Sequence, residues 1–211
     1  VKAETILEWD FTQGSQTAES WLTQWTPESD AARLPEAVRV AAPPGNVIGD
    51  HSALVIEDID DSSNGSRNDA AGTPTFSCSF APVDNGTLSF RAGTSGTQNQ
   101  HAIFTLLSGK RTLLVIKLIG NTTGEIVSGT GKTEFSDGKS WYNRARDFAI
   151  TWTDKGEVSV SFTPEQGAPL KLDHLKFISP GRPDCIQIQV GYGKATGKAV
   201  RLESFSLKTN E

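Results

Sequence analysis

Residues 147–162 read DFAITWTDKGEVSVSF. Phe148, Ile150 and Trp152 recur at every second position, and so do Val158, Val160 and Phe162. A period of two puts each set on one face of a β-strand. Between the sets, Thr-Asp-Lys-Gly supplies a reversal, because Gly takes a left-handed conformation at no steric cost and Asp tolerates turn geometry. The stretch is a β-hairpin with one apolar and one polar face. Such a hairpin needs a second layer to cover its apolar side.

Working outward, the same pattern recurs at short spacings. TFSCSFA, GTLSFRA, HAIFTLLS, TLLVIKLIG, GEIVSG, LKFIS, CIQIQVGYG and VRLESFSLK all read as strands. DNG, SGK, GNTTG, SDGKS and PGRPD separate them as turns. TILEWDFT and SALVIEDI add two strands nearer the start. Many short strands with regular turns imply an all-β sandwich or barrel. Residues 12–50 or so are less regular. SWLTQWTPESDAARLPEAVRV carries two Trp, two Pro and acidic residues, and is expected to be an irregular excursion with one helical turn.

Composition agrees with this. The chain has 211 residues, a length that suits one β-sandwich domain spanning 1–211. Apolar residues make up only 36%. The formal charge of −5 argues against a nucleic-acid partner. No apolar run is long enough for a membrane helix, so no membrane partner is expected. The opening VKAETILEWDF lacks the charged-then-apolar order of a secretory leader. Cys78 alternates with Phe76 and Phe80 on an apolar face, whereas Cys185 alternates with Gln187 and Gln189 on a polar one. A disulfide between neighbouring strands needs both Cβ atoms on one side, so two free thiols are expected.

The succession of a polar DSS..G loop, TFSCSF, GTLSFRA, HAIFTLLSGKRTLLVIKLIG, WYN, FAITWTDKGEVSVSF and a closing VRLESFSLK resembles the concanavalin A-like, laminin-G-like jelly rolls of bacterial polysaccharide-processing proteins. The resemblance covers roughly residues 50–211. It implies a two-sheet antiparallel jelly-roll sandwich with one concave, sugar-facing sheet, a polysaccharide or oligosaccharide partner, and a secreted, periplasmic or cell-surface location. It fixes no activity, because the fold hosts lectins, binding modules, hydrolases and lyases.

Alternation also sorts the strand faces. Leu88, Phe90, Ala102, Phe104, Leu106, Leu114, Ile116, Leu118, Ile186, Ile188 and Val190 join the hairpin's apolar residues as core. The opposite faces carry Arg91, Lys117, Gln187 and Gln189, with Gln100, Arg144, Arg146 and Tyr192 nearby. If these share one groove, they would bind a polysaccharide, including an anionic one. Arg grips carboxylates bidentately, amides bond hydroxyls, and aromatic rings stack on sugars. Outward polar residues are also ordinary on any sandwich strand.

A carbohydrate-binding, lectin-like domain is the first expectation. No strand carries the paired carboxylates of a jelly-roll hydrolase, whose two carboxyl groups must flank the scissile bond. The alternative is a lyase cleaving a uronate-containing glycan by β-elimination. There Arg91 and Gln100 would neutralise the carboxylate, and His101 and Tyr142 would be the catalytic proton-transfer groups. NQHAIF departs from the Q-(I/V)-H strand of jelly-roll alginate lyases, and Y-F-K-A-G is missing. A structural or adhesion module is a second alternative, with Trp9, Trp21 and Trp25 as candidates for its exposed apolar patch, but two Trp so close in sequence are expected to pack under a loop as core.

DIDDSSNGSRNDAAG, residues 58–72, resembles a calcium loop in part. Asp58, Asp60 and Asn64 are its candidate ligands. Counted from Asp60, the twelfth position is Ala71, where an EF-hand requires an acid. A solvated turn is favoured, and no cofactor is expected beyond that candidate structural Ca²⁺.

Overall fold

The computed structural model describes residues 3–42, 51–59, 73–95, 102–119, 122–139, 144–164, 168–191 and 198–210. The chain opens with β1 (Thr5–Asp10), a one-turn helix α1 (Ala18–Leu22), β2 (Thr26–Pro27) and a 3₁₀ turn (Ala31–Arg33). Then come β3 (Val38–Ala41), β4 (Ala53–Asp58), β5 (Thr75–Ser79), β6 (Gly86–Ser95), β7 (Ala102–Ser108) and β8 (Arg111–Ile119). The remainder holds β9 (Thr123–Ser128), β10 (Gly131–Phe135), β11 (Arg146–Trp152), β12 (Glu157–Thr163), β13 (Leu170–Lys176), β14 (Cys185–Val190) and β15 (Lys198–Thr209).

These strands form two antiparallel sheets. Sheet I, with eight strands, runs β13-β12-β11-β6-β15-β4-β3, and β1 pairs with the second half of β15. Sheet II, with seven, runs β10-β9-β8-β7-β14-β5-β2. Successive strands repeatedly cross between the sheets, as β5 to β6 and β6 to β7 do. The architecture is the two-sheet jelly-roll sandwich that the family resemblance implies.

The hairpin that decides the fold forms as read. Gly156 takes a φ of 73°, and its N–H donates to the Thr153 carbonyl. Phe148, Ile150 and Trp152 pair in register with Phe162, Val160 and Val158, and all six are buried. Every core residue named from alternation is buried between the sheets. Phe90 of sheet I stacks on Phe104 of sheet II at 4.3 Å and on Phe148 at 4.8 Å. Burying each such ring stabilises the fold by about 1.5–3 kcal/mol.

The N-terminal excursion is a core element. The Thr17 hydroxyl accepts from the Ser20 N–H, and Ser20 returns the bond to the Thr17 N–H, so a five-residue helix is capped at its start. That turn points Trp21 inward, and Trp25 stacks on it at 4.8 Å. Trp21 meets Phe76 of sheet II edge-on, and Trp25 meets Phe205 of sheet I. Trp9, Trp21 and Trp25 are buried, so they supply no exposed patch for an adhesion module.

Arg146 corrects the sequence reading. It was expected on a substrate-facing surface, yet it shares the inward face of β11 with Phe148 and Ile150. Its side chain is 1% exposed, and Nε donates to the Asp137 carboxylate at 2.8 Å. The ion pair compensates a charge that burial alone would make costly.

Candidate functional site on the outer face of sheet II

Pairing registers place the outward side chains of sheet II in rows. One row crosses the strands as Thr26, Ser77, Gln187, Thr105, Val115, Val127 and Lys132. The next runs Thr75, Gln189, Ile103, Lys117, Glu125 and Glu134. The first is polar at the β5–β14–β7 end, aliphatic at Val115 and Val127, and ends on Lys132. In the second, Glu125 receives Lys117 at 3.3 Å and Lys132 at 3.6 Å. Gln189 donates its amide N–H to the Thr73 hydroxyl at 3.0 Å, which fixes it at the β5 end.

An open cavity of about 690 Å³ lies against the polar end. Gln187, Ser77 and Ser79 line it from the strands, and Phe80, Pro82 and Leu107 give it an apolar side. Glu28, Lys110 and Asp184 approach from the connections. Both Asp184 oxygens accept from the Gly109 N–H, at 2.8 and 3.0 Å, which ties the β14 entry to the β7–β8 turn. Gly109 holds that turn at a φ of 58°, where a side chain would be strained. Glu28 accepts from the Ser77 hydroxyl and so is fixed beside β5.

Cys185 also lines the cavity. Burial pushes its thiol above the ordinary value; the Ser79 hydroxyl works against that, and the charges of Asp184 and Glu28 add to it. Cys78 faces the core, and burial pushes it up to about 11. Both cysteines are free.

The residues named from sequence divide between two surfaces. Lys117, Gln187 and Gln189 share the outer face of sheet II. Arg91 stands on the outer face of sheet I, where Nε donates to Glu203 at 2.8 Å and an Nη to Asp147 at 3.0 Å. Arg91 and Arg144 line one cavity of about 230 Å³ there. The single groove collecting all of these basic and amide groups is therefore not formed. Gln100, His101, Tyr142, Tyr192, Asp60 and Asn64 lie outside the described residues. Asp58 is fully buried at the end of β4, packed so closely on Gly191 that a Cβ there would lie 2.2 Å from its carboxylate. Among the described residues no group of three His, Cys, Asp or Glu could hold a metal ion. Likewise, no described helix is long and apolar enough to cross a membrane.

Sequence reasoning did not select Glu28, Lys110 or Asp184, and it assigned Phe80 to the core face; Phe80 packs against the core but is only half buried and also lines the cavity. PGRPD and SGK register only as turn chemistry, and nothing local to Glu28 signals its approach to Ser77 across 49 residues.

No protein-family model matches the chain, and no curated relative matches it. Solved structures do. A sialidase aligns at TM-score 0.64 and 12% identity over 100% of this chain, which spans 19% of that protein. SCLam, a non-specific endo-β-1,3(4)-glucanase, aligns at TM-score 0.63 and 12% identity, covering 99% of this chain and 92% of the other. Lectin II from Ulex europaeus aligns at TM-score 0.57 and 9% identity, covering 99% and 100%. The shared feature is the fold, and this chain is a concanavalin A-like jelly roll.

Proposed function

We propose that the protein binds a saccharide chain on the outer face of sheet II. The cavity beside β5, β14 and β7 carries this reading. It falls in the size range of ligand pockets and combines an apolar wall with a few fixed polar groups. The half-buried Phe80 offers a ring for stacking on a sugar. The Gln187 amide and the Ser77 and Ser79 hydroxyls supply donors and acceptors for sugar hydroxyls. That lectins and glucanases are built on the same fold supports the reading.

The lyase alternative finds less support. The arginine meant to neutralise a uronate is held by two carboxylates on the opposite sheet. The rest of its constellation, Gln100, His101 and Tyr142, lies outside the described residues.

A glycan array of neutral and acidic polysaccharides tests the proposal. At least one should bind. Phe80→Ala and Gln187→Ala should each weaken that binding about tenfold or more, as the loss of a stacking ring or a hydrogen bond to an otherwise unpaired group does. Ser161→Ala, on the outer face of sheet I, should leave it unchanged. Binding by none of the glycans, or binding indifferent to both sheet II variants, would overturn the proposal.

A further inference from the structure

Resting on the reading that the sheet II cavity holds a saccharide, we infer that its ligand is an uncharged glycan, and that Glu28 and Asp184 turn carboxylate-bearing glycans away. The two carboxylates reach the cavity from different connections. Glu28 follows β2, and Asp184 precedes β14. Each is held in place, Glu28 by the Ser77 hydroxyl and Asp184 by the Gly109 N–H. They cannot swing away from an incoming anion without giving up those bonds. Cys185, which follows Asp184 in the chain and pairs with Ser79, lines the same cavity as both carboxylates, and their charges add to the upward push on its thiol. Lys110 is the one cation among the described lining residues.

The neighbouring row offers no surplus of positive charge either. Lys117 and Lys132 share Glu125, and Glu134 stands in register beside it. Over the cavity and the two rows, Glu28, Glu125, Glu134 and Asp184 outnumber Lys110, Lys117 and Lys132 among the described residues. Arg91, which could have received a uronate, is on the other sheet and already carries two carboxylates. A uronate ring seated on Phe80 would bring its own carboxylate into a site arranged to oppose it. An uncharged sugar meets only hydroxyls, amides and a ring. Rejection by fixed like charge is a common source of specificity.

The test uses matched pairs: neutral glucan, galactan and mannan oligosaccharides beside their C6-oxidised uronate counterparts, in one array. At least one neutral member should bind, with its oxidised partner weaker by about tenfold or more, the size expected of a like charge a few ångströms away at a partly solvated site. Added salt should shrink that gap. Glu28→Gln should narrow it severalfold. Equal binding of both members, preference for the uronate, or a gap unchanged in Glu28→Gln would overturn the charge inference while leaving saccharide binding intact. If neither member of any pair binds, or if Phe80→Ala changes nothing, the cavity itself has been misread and the inference falls with it.

Discussion

Cys78 and Cys185 stand on adjacent strands, one pair apart in the β5–β14 ladder, and face opposite ways. Alternation alone gave that answer, because every second residue of CIQIQV and TFSCS turns inward. The consequence is chemical. Cys78 is buried, whereas Cys185 opens onto the proposed saccharide cavity. An alkylating reagent should therefore modify one thiol per folded chain, and mass mapping should find it at Cys185. Because burial and the neighbouring carboxylates raise this thiol, its thiolate fraction at neutral pH is lower than that of a free cysteine, and the rate should climb steadily as pH rises toward the thiol's elevated value. A bound glycan should slow labelling severalfold. Rapid labelling at neutral pH, or none of this protection by a glycan known to bind, would contradict the placement. The same alternation was available for Arg146, two positions before Phe148. There its charge argued for an outward position. The compensating Asp137 lies nine residues earlier, on the connection that leads from β10 into β11.

Elements were legible where a strand has one wet face and one dry face, and illegible where both faces are wet. β11 and β12 bury every second residue. β13 does not: Leu170–Lys176 is an edge strand in which only Leu175 is buried. The sequence reading looked for the strand at LKFIS instead, drawn by the apolar Phe177 and Ile178. A bulge is the physical reason the period fails. Val158 pairs with Leu175 and Val160 with Leu172, so Asp173 and His174 together oppose Ser159. His174 adopts a φ of 63°, the left-handed region that side chains avoid. Bulges of this kind bend and blunt a sheet edge that would otherwise invite pairing with another chain. His174→Gly should keep the bulge and relieve its backbone, raising stability by roughly 1 kcal/mol in a urea titration. A lower midpoint would show that the imidazole contributes packing worth more than the relief.

At the scale of the whole molecule, the sandwich was readable because its core repeats locally, while the site was not, because its parts meet only through pairing. Glu28 and Ser77 are 49 residues apart, and Gly109 and Asp184 are 75. The N-terminal segment shows the same dependence most fully. Neither TILEWDFT nor SWLTQW announces a partner, yet β1 joins sheet I along β15, and α1 drives Trp21 and Trp25 between the two sheets. Phe11 and Trp9 extend that packing, stacked at 6.0 Å. At about 1.5–3 kcal/mol per buried aromatic, Trp9, Phe11, Trp21 and Trp25 together contribute about 6–12 kcal/mol, as much as the whole stability of a typical domain. Removing residues 1–30 would also strip Leu207 and Phe205 of their cover and leave half of β15 an open edge. The shortened chain should therefore lose its near-ultraviolet circular dichroism and its cooperative thermal transition. A truncated chain that still melts cooperatively would mean that β3 to β15 form a self-sufficient core, with the tryptophans free to serve a partner instead.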